Sequence, residues 1–228
     1  MPTPIRIQSL IAALCSAAFL HGATSEAQRP RAGSTAATSR AAATAYDPAL
    51  FSSPTGRAVA VAGDLAKPFL FYMGSVNGGV WRTANGGQSW ENLTDGKSDI
   101  SSVGAIAVAP SDANVIYVGT GESYLREDLT FGTGVYRSTD AGATWQHLGL
   151  TETHQITDVV IDPRDPDRVF ISAIGHAFGP NPERGVFRTT DGGKNWKKVL
   201  FIDDSTGAND IAMDPSNPRI LYASMYKF

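Results

Sequence analysis

Charged and aromatic side chains without an obvious turn or core duty concentrate in two short segments. GESYLREDLTFG, from Gly121 to Gly132, holds Glu122, Arg126, Glu127 and Asp128. GHAFGPNPERG, from Gly175 to Gly185, holds His176, Glu183 and Arg184. Carboxylates beside cations can bind polar ligands or move protons, and Tyr124, Phe131 and Phe178 can stack on a sugar ring or a peptide. A plainer duty is open to the same residues. Glu122 with Arg126, and Glu183 with Arg184, can pair on the surface and stiffen a long loop. Glu122, Arg126, His176 and Arg184 are thus candidate binding residues, and no catalytic residue is assigned.

Cleavage of a glycosidic bond generally needs two carboxyls, ~5–5.5 Å apart for retention or ~6.5–9.5 Å for inversion. Most remaining acids have another use. Asp112, Asp162, Asp165, Asp167 and Asp214 stand in Pro- and Asn-containing turns, where Asp is a turn former. No metal site or cofactor is expected. His147, His154 and His176 lack ligand spacing, and DDSTGAND (Asp203 to Asp210) lacks the terminal Glu and regular oxygen alternation of a calcium loop. From Tyr46 onward, 15 Lys and Arg face 21 Asp and Glu, a balance that argues against nucleic acid as a partner.

The elements that carry these segments are repeated. RTANGGQSW begins at Arg82, RSTDAGATW at Arg137 and RTTDGGKNW at Arg188, with tryptophans at 90, 145 and 196. GVWR, GVYR or GVFR precedes each phrase and a short strand follows it, so each reads as a hairpin. Asn85, Asp140 and Asp191 share one turn position, where a short Asx side chain can accept backbone N–H bonds. Trp90, Trp145 and Trp196 offer apolar faces to the turn. A second hairpin alternates with the first. IAVAPSDANVIYVGT, VVIDPRDPDRVFISA and IAMDPSNPRILYASM place Pro110, Pro163 and Pro215 alike, and VAVAGDLAKPFLFYMGS is a looser copy. Two hairpins at a period near ~50 residues make four-stranded propeller blades, and the fold class is all-β. Arg82, Arg137 and Arg188 stand at equivalent places and are expected to be exposed strand ends.

Ser138 to Trp145 matches the Asp-box, or BNR, pattern S/T-x-D-x-G-x-T/S-W throughout. The third copy has Asn195 for Thr/Ser, and the first has Asn85 for Asp. With GDLAKPFLFYMGSVNGGVWRTANGG, IAVAPSDANVIYVGTGES and GHAFGPNPERGVFRTTDGGKNW, the chain resembles secreted bacterial BNR-repeat proteins related to the sortilin N-terminal domain and, distantly, to xyloglucanase-type glycosyl hydrolases. The resemblance covers roughly Ser53 to Phe228. It implies an Asp-box propeller, while Asp boxes themselves are structural and occur in propellers of unrelated function. In xyloglucanases a catalytic aspartate precedes a Gly-Gly in a Thr-Asp-Val-Gly-Gly-like turn. Here Ser75-Val76-Asn77-Gly78-Gly79 puts Val76 at that place, and the arginine cluster of sialidases has no counterpart. A third kinship through the same boxes is to BNR-type assembly factors of photosynthetic membranes.

Residues 46–228 hold about three and a half blades, whereas propellers close with ~4–8. An incomplete propeller is expected, the alternative being a short form that closes by oligomerising. Arg6, the apolar run Leu10 to Leu20 and Ser25-Glu-Ala27 read as a signal peptide over 1–27, too short to span a bilayer. Cys15, the sole cysteine, lies within it. Residues 28–45 read as a flexible linker. The expectation is a secreted or periplasmic module, without an integral membrane segment after cleavage, that binds a protein, peptide or glycan through its loops. The alternative is a glycoside hydrolase whose catalytic residues lie partly beyond Phe228.

Overall fold

The computed structural model describes residues 56–124 and 129–227, all within a unit spanning Ser52–Phe228. The expected signal peptide, the expected linker and Arg126 lie outside the described residues.

The strands group by repeat. Blade 1 comprises β1 (Ala58–Asp64), β2 (Lys67–Ser75), β3 (Gly79–Thr83) and β4 (Glu91–Asn92). Blade 2 comprises β5 (Val103–Ala109), β6 (Asp112–Thr120), β7 (Val135–Ser138) and β8 (Gln146–His147). Blade 3 comprises β9 (Ile156–Asp162), β10 (Asp165–Ala173), β11 (Gly185–Thr189) and β12 (Lys197–Leu200). A two-stranded sheet follows, of β13 (Thr206–Met213) and β14 (Leu221–Lys227). Every sheet is an antiparallel meander in chain order. Among the described residues there is no α-helix, only the 3₁₀ turn η1 (Thr151–Thr153), and no helix long and apolar enough to cross a membrane. The fold is the incomplete all-β propeller that the repeats implied.

First strands pack in sequence, β1 on β5, β5 on β9 and β9 on β13. The apolar core therefore lies between blades. Tyr72, Val80, Leu93, Val103, Ile116 and Val118 fill the first interface. Tyr117, Val135, Ile156, Val159, Ile171 and Phe187 fill the second. Burial on both faces explains why the second strands read as apolar runs rather than as alternations. Close approach is built in by glycine. A Cβ on Gly74 would stand 2.2 Å from Val103 Cγ1, and one on Gly119 2.3 Å from Ile156 Cγ2. Each first strand also carries a pairing irregularity at the same place, just before Ala60, Ala105, Asp158 and Asp210.

Side chains of the boxes bond within their own turns, and the boxes also join blades. Asp140 Oδ1 accepts from Ser138 Oγ at 2.7 Å and Thr144 N at 2.8 Å, while Ser138 Oγ accepts from Gly142 N at 2.8 Å. Trp145 Nε1 donates to Leu93 O of the preceding blade at 3.3 Å, and Trp196 Nε1 to Leu148 O at 3.0 Å. Arg82 Nη1 reaches Ala141 O in the next blade's box at 3.3 Å, and Arg137 Nη1 reaches Gly192 O likewise at 3.3 Å. Arg137 also pairs with Asp167 at 2.6 Å. These two arginines are not the exposed strand ends expected. They are half-buried ties, because the next blade's turn carbonyl lies within reach of each strand end.

Candidate functional site

The two ends of the blades are built differently. One carries the Asp boxes and the tight β1–β2, β5–β6 and β9–β10 turns. The other carries the β6–β7 connection (residues 121–134) and the β10–β11 connection (residues 174–184), which contain both charged insertions.

On that second end a chain of polar contacts links successive blades. Asn77 Nδ2 donates to Thr130 Oγ1 at 3.2 Å, joining blade 1 to the first insertion. Arg57 donates to Glu122, 65 residues away in sequence. Glu122 is fully buried and Arg57 is 41% exposed. Gly132 N donates to His154 O at 2.7 Å, and Ile174 N to Gln155 O at 3.1 Å. Asn181 N donates to Asp204 O at 2.9 Å, reaching the segment before β13.

Two candidate residues prove internal. Glu122 lies under its loop against Arg57, where a binding side chain would be at the surface. Arg184 is 1% exposed and donates from Nη2 to His176 O at 2.8 Å and Gly179 O at 3.0 Å, tying the second loop to itself. Burial pulls its pKa down, against the opposing pull of Asp204 and Asp203. Asn181, also buried, accepts from Glu183 N at 3.2 Å and donates to His176 O at 3.3 Å. Both loops are too long to be held by hairpin bonds alone, and these polar groups supply the missing constraints. The aromatic candidates face solvent instead, with Tyr124 62%, Phe131 55% and Phe178 74% exposed. Val76 is buried, with its N–H on Arg57 O at 2.9 Å.

The histidines that lie far apart in sequence meet in space. His154 and His176 stack with ring centroids 3.8 Å apart and planes at 28°. Phe131 packs on His154 at 5.0 Å. Glu152, on η1, completes a group in which each residue offers one ligand atom, all within 4.8 Å of one another. His154 has φ 53° and ψ −47°, a sparsely allowed conformation that costs energy unless its surroundings impose it. The His154 carbonyl accepts from Gly132 N, and that of Gln155 from Ile174 N. Burial, and then His176, hold the His154 pKa below the usual histidine value, with Glu152 opposing. Gln155, also fully buried, has neither side-chain amide atom hydrogen-bonded among the described residues. His147 stands apart, its Nε2 2.7 Å from Thr133 O.

A second grouping escaped sequence reasoning. Asp158 on β9 and Asp210 on β13 occupy equivalent places in neighbouring first strands. Burial first, and then the neighbouring Asp210, push Asp158 up to about 6, against the N–H groups of Val159 and Ile211. The signal was present in the paired phrases ITDVVIDP and ANDIAMDP, where Ala105 stands in blade 2.

The family model Sortilin-Vps10, described as "Sortilin, neurotensin receptor 3,", matches residues 78–206 and 133–227. This chain belongs to the Sortilin-Vps10 family. Within the curated proteins this family member is similar to a xyloglucanase of Paenibacillus sp, 31% identical over 160 residues, covering 65% of the chain and 14% of the relative. It is also similar to vacuolar protein sorting/targeting protein 10 of Kluyveromyces lactis, 31% identical over 86 residues, 38% of the chain and 5% of the relative. Among solved structures, an ancestral GH74 enzyme matches 75% of the chain and 22% of its own at 25% identity and TM-score 0.58. The GH74 xyloglucanase from Xanthomonas campestris matches 75% and 28% at 22% identity and TM-score 0.57, a likeness of fold. The family member thus spans roughly a seventh of the xyloglucanase it matches.

Proposed function

We propose that this chain is an exported propeller module that holds a glycan on its long-loop face. The observation that carries the reading is that Tyr124, Phe131 and Phe178 stand exposed on two loops whose buried polar residues Glu122 and Arg184 are spent on internal bracing. Exposed aromatic groups on a rigid, polar-rimmed surface mark ligand contact. The xyloglucanase relatives favour a polysaccharide over a protein or peptide as the ligand. Export rests on the signal-peptide pattern of residues 1–27.

The same relatives favour a second reading, a glycoside hydrolase. Against hydrolysis by this chain stand Val76 at the expected acid position and the Arg57 partner of Glu122. Reducing-sugar release from xyloglucan and other β-glucans separates the readings. The binding module releases nothing above buffer. Turnover that is lost in Glu122→Gln or Glu183→Gln would instead establish the hydrolase.

A further inference from the structure

We propose that Glu152, His154 and His176 form a binding site for a divalent transition metal of the zinc type, independent of the glycan reading. Two imidazoles and a carboxylate suit zinc better than the hard, oxygen-seeking cations. Their ligand atoms already lie within 4.8 Å of one another. Tetrahedral zinc with Zn–N near ~2.0–2.1 Å wants its ligand atoms about 3.3 Å apart, so binding requires the stacked rings to turn until one nitrogen of each faces the ion. Glu152 is exposed and free to swing toward the rings.

Two further observations point to a ligand here. The His154 Nδ1 atom is buried and has no hydrogen-bond partner among the described residues. Buried polar atoms are ordinarily partnered, and a metal ion would give this lone pair its partner. The His154 backbone also adopts a sparsely allowed conformation, the kind of strain that accumulates where a fold positions a side chain for a ligand. Phe131 and His176 both pack against the ring. With three protein ligands, a fourth tetrahedral position stays open to solvent, as in sites that exchange ligands. The ion would pin the segment between β8 and β9 to the β10–β11 loop.

The test uses the full chain on a tag without histidine, stripped with chelator and titrated with zinc chloride by calorimetry and with cobalt(II) by visible absorption. The expected result is saturable one-to-one binding and a tetrahedral cobalt spectrum. His154→Asn, with a short side chain tolerated at positive φ, and His176→Ala should each weaken binding by more than about tenfold, the scale on which even outer partners of a metal act. Glu152→Gln should weaken it less, and His21→Ala with His147→Ala should leave it unchanged. Circular dichroism without metal checks that the variants fold. The His176 change sits on a loop and stands as the decisive variant if position 154 does not tolerate substitution. No saturable binding, or binding that survives His176→Ala, overturns the site.

Discussion

Asp140 does its work within five residues. Its carboxylate takes Ser138 Oγ, Thr144 N and, through Oδ2, Thr144 Oγ1 at 2.6 Å. The hydrogen bonds from Thr144 and then Ser138 hold its pKa down to about 2, and those from Asn195 and Thr189 do the same for Asp191. A carboxyl depressed in the folded state adds stability that is present above its unfolded value near 3.8 and is lost as pH falls through about 2. Thermal melts should therefore drop between pH 4 and pH 2, and less so in an Asp140→Asn, Asp191→Asn variant. The chain contains its own control. Asn85 Oδ1 accepts from Ser89 N at 3.0 Å and its Nδ2 donates to Ser89 Oγ at 2.8 Å, so Asn can close this turn. Asp140→Ala should lose about 1–2 kcal/mol, since it leaves turn donors without an acceptor. Equal melting of wild type and Asp140→Ala at pH 7 would contradict that role. The box was legible in the sequence because all its partners are local. Glu122 was not, because its cation lies 65 residues away, on another blade.

At the scale of the strand, the hairpin order and register followed from alternation, glycine and the Asx turns. What did not follow was anything that joins one blade to the next. Arg82 and Arg137 looked like solvated strand ends because their own repeats offer them only surface partners, such as Glu91 for Arg82 at 2.7 Å. Their acceptors, Ala141 O and Gly192 O, belong to the following box. The Asp158–Asp210 contact has the same character and a measurable consequence. Asp158 is raised to about 6 by burial and by Asp210, so folding favours its protonated form. Its contribution is fully present below the unfolded value near 3.8 and is lost as pH rises through about 6. Asp158→Asn fixes a neutral group whose single oxygen can still accept the shorter bond, from Val159 N at 2.7 Å. The variant should melt above wild type at pH 7.5, with the gap closing near pH 4. A gap that does not change with pH would rule out the raised Asp158 pKa.

At the scale of the molecule, the propeller is a row of sheets whose cores lie between neighbours, and function is assigned to one end of that row. The period of the repeats showed where the long connections emerge. It did not show that Glu122 and Arg184 turn inward, because a buried polar brace and an exposed binding side chain are the same letters in sequence. Glu122 and Arg184 were expected at the surface, whereas the structure leaves that place to Tyr124, Phe131 and Phe178. His154 was set aside for want of ligand spacing because its partner His176 lies on the β10–β11 loop, outside any local pattern. The central claim is that this aromatic face holds a glycan. It is tested most directly by calorimetric titration of the full chain with xyloglucan oligosaccharides, beside a variant carrying Phe131→Ala and Phe178→Ala. Saturable binding by wild type that weakens at least tenfold in the variant, with the melting temperature of both proteins unchanged, is the predicted result. Binding that is equal in the two proteins, or absent from wild type, would contradict it.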